Sequence, residues 1–251
     1  MRTRLVATTT LRPAAVVLLL LVVGGFTYRG VIQPHVVVSD VGFTLPEVAP
    51  SHSGVTLATD PNALRLVDPR LRHVAKWILS VGASAAAADV DGDGPADLFF
   101  RNPLATPADR VALFRNRGGF RFERVPLPVL DVLSGHPADR GLPGGALFVD
   151  YDNDGDRDLF VDVAFGRPML LRNDTRAPGD IAFVDVTGTA GIDEWAVSVS
   201  VNALDFDRDG NVDLLIGNAL STHLPGYRDS TPLNIFRLPA AEFSGDRRMF
   251  A

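Results

Sequence analysis

One acidic loop occurs three times in this 251-residue chain. It reads Asp89-Val-Asp91-Gly-Asp93-Gly-Pro95-Ala-Asp97, then Asp150-Tyr-Asp152-Asn-Asp154-Gly-Asp156-Arg-Asp158, then Asp205-Phe-Asp207-Arg-Asp209-Gly-Asn211-Val-Asp213. The shared pattern, D-x-D-x-D-G-x-x-D, packs at least four carboxylates into nine residues. Like charges at that density repel unless a cation neutralises them. An ordinary solvated turn needs only one or two Asp or Gly residues, so three copies at identical offsets point to a metal loop. Positions 1, 3, 5 and 9 offer carboxylates: Asp89, Asp91, Asp93 and Asp97; Asp150, Asp152, Asp154 and Asp158; Asp205, Asp207, Asp209 and Asp213. Position 7 (Pro95, Asp156, Asn211) offers a backbone carbonyl, and the glycine at position 6 permits the sharp turn. A shell of hard oxygens suits calcium, and three loops predict about three ions.

These loops are not EF-hands, which require a bidentate Glu at position 12 and flanking helices. Position 12 is Phe100, Val161 or Ile216. The flanks read instead as short buried strands: Ala146–Val149 enters the second loop, Leu159–Val161 leaves it, and Leu214–Ile216 leaves the third. The ion would then brace a strand-loop-strand hairpin.

Asp89 to Asp150 is 61 residues and Asp150 to Asp205 is 55, a period that fits propeller blades. The register continues downstream. Val111–Asn116 matches Met169–Asn173 and, more loosely, Leu233–Arg237; Phe120–Val125 and Ile181–Val186 follow with strand alternation. Each unit reads as about four short strands with the metal loop between the first two, which is one propeller blade.

The run Gly82–Asp89 into the first loop, Phe148–Asp156, and Phe183–Ile192 resemble FG-GAP/VCBS repeats, which build the head of integrin alpha subunits and bacterial exported proteins related to cartilage acidic protein. The segment Leu71–Gly82 is similar to the lead-in of the bacterial branch. The resemblance implies an all-β fold of propeller-type blades, calcium-stabilised, used for adhesion or ligand display, with no catalytic residues. Three repeats are expected, at about residues 79–138, 139–193 and 194–251. Such propellers usually close with about seven blades, and a three-blade arc leaves a flank open at each end. The expectation is an incomplete ring, with the remaining blades supplied by a longer chain or by another subunit.

Before the repeats, residues 1–32 read as a signal peptide or signal anchor. Arg2, Arg4 and Arg12 precede Pro13–Thr27, about fifteen apolar or small residues, nearer a signal core than the roughly 20 of a full span. A membrane contact through this hydrophobic helix is expected if it stays uncleaved, and the repeats face outside in either case, secreted or anchored. Extracellular calcium modules bind at about 10⁻⁴ to 10⁻³ M, which matches that location. The chain has no cysteine, so metal ions would supply the cross-links that disulfides give other secreted domains. Residues 33–78 read as lead-in and linker: Val36–Val38 as a strand, Pro46–Gly54 as linker, and Asp68 as the cap of a helix with Pro69 at its first position.

The formal net charge is −6. The loops contain thirteen aspartates and two arginines, a sum of −11, so the remainder is +5. Acidity belongs to the metal loops, and no basic stripe with interleaved aromatics suggests nucleic acid. The five histidines stand singly, and neither a nucleophile elbow nor a P-loop occurs. The expected function is a non-catalytic calcium-binding module for an extracellular protein or glycan ligand. The alternative is an accessory propeller of an exported, glycan-acting enzyme whose catalytic part lies elsewhere.

Overall fold

A computed structural model describes residues 16–23, 46–79, 83–220 and 235–236. The chain divides into two units, Met1–Glu47 and Val48–Ala251. In the first, residues 16–23 are helical with exposed Val and Leu side chains. Among the described residues no helix is long and apolar enough to cross a membrane. Most of the expected export segment, the strand at Val36–Val38 and most of Leu233–Arg237 lie outside the described residues.

The second unit is built from antiparallel strands. The first sheet runs β1 (Ser84–Ala88), β2 (Asp97–Arg101), β3 (Val111–Asn116) and β4 (Phe122–Val125), in that order. This is the four-stranded unit the repeat spacing predicts. Strand β4 starts two residues later than the alternation suggests. Phe120 (φ 57°) follows Gly118 and Gly119 in a left-handed turn, closed by Arg117 N donating to Arg121 O and Arg121 N donating to Gly118 O.

β5 (Leu142–Val149), β6 (Asp158–Gly166), β7 (Met169–Asn173) and β8 (Phe183–Asp185) repeat the pattern, and β9 (Ala196–Leu204) with β10 (Asp213–Leu220) begins it again. These strands do not form separate sheets. The order is β10-β9-β6-β7-β8, with β5 also on β6. β6 explains the merger: it pairs with β7 only over Leu159–Val161, which leaves its far end unpartnered on that side. β9 takes that edge, Ala164 opposite Val197 and Gly166 opposite Ala196, so backbone groups that would otherwise be buried without partners find them.

Both sheets supply the core. Val90, Phe99 and Leu113 from the first repeat pack with Leu159, Val161, Val163, Leu171 and Phe183 from the second. Phe99 meets Phe148 edge-on, with centroids 6.4 Å apart. Fully burying side chains of this size stabilises the fold by about 1.5–3 kcal/mol each, so the two repeats hold each other together.

The lead-in is more structured than its composition suggests. Pro50–Ser53 makes one helical turn ended by Gly54 (φ 74°), in place of the expected linker. Asp68 does cap, accepting from Arg70 N at 3.0 Å with Pro69 first, but the turns it starts are 3₁₀ (Pro69–Val74) before a short α-turn, Ala75–Ile78. Val67, Leu71, Ala75 and Leu79 are buried with Leu142, Ile235 and Phe236. Its apolar residues follow short helical turns and not one long period.

Candidate metal loops

Each acidic loop joins two antiparallel strands in one register. Ala88 pairs with Asp97, Val149 with Asp158, and Leu204 with Asp213. The strand flanks read from sequence are therefore present, and the loops are hairpin turns.

Position 1 organises the turn. Asp89 accepts the amides of Asp93 (3.1 Å) and Gly94 (2.8 Å). Asp150 accepts those of Asp154 and Gly155, both at 3.1 Å, and Asp205 those of Asp209 and Gly210, both at 3.1 Å. The amides can converge because the backbone is left-handed twice: at position 6 (Gly94, Gly155, Gly210) and also at position 4, occupied by Gly92, Asn153 and Arg208. The position-4 turn was not foreseen, and Arg208 at φ 64° shows why: nothing about arginine advertises it.

Position 9 ties the turn to the sheet. Asp97 accepts Val90 N at 3.1 Å and Asn116 N at 2.7 Å. Asp158 accepts Tyr151 N at 3.0 Å and Asn173 N at 2.8 Å. Both are fully buried. Burial pushes each carboxyl up, Asp158 to about 6, while the two amides pull the other way. Asp213, on the terminal strand of its sheet among the described residues, is exposed and accepts Phe206 N at 2.8 Å.

The carboxylate oxygens of positions 1, 3 and 9 converge in all three loops: Asp89, Asp91 and Asp97; Asp150, Asp152 and Asp158; Asp205, Asp207 and Asp213, each set within 4.8 Å. Position 5 is not drawn into these sets. Asp154 accepts Asp156 N at 2.9 Å, and Asp209 accepts Asn211 N at 2.8 Å and its side-chain amide at 2.9 Å. A clustered, all-oxygen donor set suits a hard divalent cation. The second and third loops fit one without rearranging their sheet contacts.

The first loop differs. Arg115 lies 2.5 Å from Asp91 Oδ2 through Nε and 2.8 Å from Asp93 Oδ2 through a terminal nitrogen. Burial alone would push this guanidinium down, but Asp91 and Asp93 hold it above its ordinary value. Gly179 N also donates to Asp91, at 2.7 Å.

The loops are connected. Asn173, at the end of β7, donates to Arg157 O in the second loop (3.2 Å) and to Val90 O in the first (2.8 Å). Asn153 of the second loop donates to Asn211 of the third at 3.0 Å. The matched Arg-Asn endings of β3 and β7 were visible in the sequence as a repeat, but not their role. His136 caps the turn Pro137–Arg140 by accepting Ala138 N at 3.1 Å, a structural role.

Residues 89–161 match the family model described as FG-GAP-like repeat. The span runs from the first residue of the first loop to just past the second. Cartilage acidic protein 1 of Mus musculus is 27% identical over 202 residues, which cover 70% of this chain and 30% of that protein. The chain thus spans less than a third of the length of that curated relative. Strand pairing and the family match agree on antiparallel β architecture with an FG-GAP-like repeat over residues 89–161.

Proposed function

We propose that this FG-GAP-like repeat chain is an exported, non-catalytic interaction module in which calcium braces the hairpin loops. The observation that carries the reading is the convergence of positions 1, 3 and 9 within 4.8 Å in three loops of the same register. Each converged set concentrates negative charge against a sheet edge, and in two of them one carboxylate is fully buried. A divalent cation relieves that repulsion and needs no proton. The Arg-flanked hydrophobic run at the amino end supports export, as a secreted or membrane-anchored protein with the repeats outside. The partner is an extracellular protein or a glycan, recognised by surfaces that a calcium-stiffened hairpin holds in shape.

Thermal unfolding of the full chain in calcium and in chelator tests the metal. A ligand that binds only the folded state stabilises by about 2.7 kcal/mol per site at a hundredfold excess over Kd. A raised midpoint in millimolar calcium is expected, and an unchanged midpoint would refute calcium binding.

A further inference from the structure

We infer that the first loop carries its own cation, the Arg115 guanidinium, and that calcium enters only the second and third loops at ordinary concentrations. This rests on the calcium reading above and sharpens it from about three equivalent ions to two.

Two local differences put the arginine there. In the second and third loops the position-5 carboxylate is held by its own loop, through the amide of position 7. In the first loop position 7 is Pro95, which has no N–H to donate. Asp93 is left to find another donor, and it finds Arg115 at 2.8 Å. The counterpart of Arg115 in the next repeat is Arg172, which also stands one residue before the strand-ending asparagine. Arg172 pairs with Asp174 at 2.7 Å. The residue in the place of Asp174 in the first repeat is Arg117, which offers Arg115 no carboxylate and itself pairs with Glu123. Arg115 therefore turns inward.

The arginine is built in. Asp91 Oδ2 takes both the Arg115 contact and the Gly179 amide, and Asp91 Oδ1 accepts Asp93 N at 3.2 Å. Gly179 (φ 89°) lies against the guanidinium, and a Cβ there would fall 2.7 Å from an Arg115 nitrogen. Asp91 is 6% exposed, whereas Asp152 and Asp207 are open to solvent. A cation entering the first loop must break two charge contacts and disturb a joint between repeats. Entry into the other two requires neither.

Calcium titration of the full chain, followed through the backbone amide resonances of Gly94, Gly155 and Gly210, tests the assignment. Gly155 and Gly210 should respond together, and Gly94 should respond only at calcium about tenfold or more higher. In Arg115→Gln, Gly94 should join the other two, while Arg115→Lys, which keeps the charge, should behave as wild type. Equal response of all three glycines in the wild type would overturn the inference and leave the calcium reading intact. A silent Gly94 in Arg115→Gln would overturn it too, because something other than the arginine would then exclude the ion. If no glycine responds, the calcium reading itself fails and the inference falls with it.

Discussion

Replacing Asn173 by alanine should destabilise the protein far more than replacing Asn116, although both end the third strand of a repeat with the same dipeptide. The Asn173 side chain is 3% exposed. It donates to Val90 O and Arg157 O and accepts Thr175 N. Its backbone bond to Asp158 survives truncation. Removing the side chain leaves Val90 O as a buried acceptor without its donor, at a cost of about 1–3 kcal/mol. The Arg157 and Thr175 bonds are only partly buried, so water replaces much of them, adding about 0.5–1 kcal/mol together. The expected total is about 2–4 kcal/mol. Asn116 donates to Ala96 O in an exposed bond and accepts Gly118 N, so Asn116→Ala should cost about 1 kcal/mol or less. Urea unfolding of the two variants beside the wild type, compared at constant m, measures the gap. Asn173→Asp should be worse than alanine, since it turns a carboxylate toward two carbonyl oxygens. Equal losses at Asn116 and Asn173 would refute the claim that this side chain joins the first two loops.

Two further perturbations probe the loops and the sheet behind them. An added Cβ at Gly155 meets no atom within 4 Å, so Gly155→Ala isolates the backbone cost of φ 97°; about 1–2 kcal/mol is expected, read as a fall in Tm of about 2–4 °C per kcal/mol. The second concerns pH. Asp162 is fully buried, with its carboxyl pushed up to about 6 by burial against the pull of Gly145 N–H, Arg101 and Ser198. Between the ordinary aspartate value and about 6 the folded state binds more protons than the unfolded state. Stability contributed here is present at low pH and lost as pH rises across that window, by about 3 kcal/mol at most for a shift of roughly two units. In chelator, Asp162→Asn should flatten this part of the stability profile; an unchanged slope would show that Asp162 is not held protonated by the fold.

The sequence by itself determined the local parts: three hairpin loops of one kind, their strand flanks, their spacing, the Asp68 cap, and carboxylates recurring at positions 1, 3, 5 and 9. Apart from the spacing, these follow from patterns within about ten residues, namely strand alternation, a glycine where the chain must turn left, and carboxylates at fixed offsets. Offset alone does not say whether the position-5 carboxylate faces an ion or its own loop's amide. Only the tertiary structure decided that Asp93 faces Arg115, that Asn173 crosses from the second loop to the first, and that β9 completes the free edge of β6. Each joins residues from 22 to 83 positions apart or strands of different repeats. Which partner wins is settled by burial and by the donors left over after local bonds form, such as the amide Pro95 lacks. Identical loops thus became unequal sites: their sequences set the charge, and their neighbours decided what neutralises it.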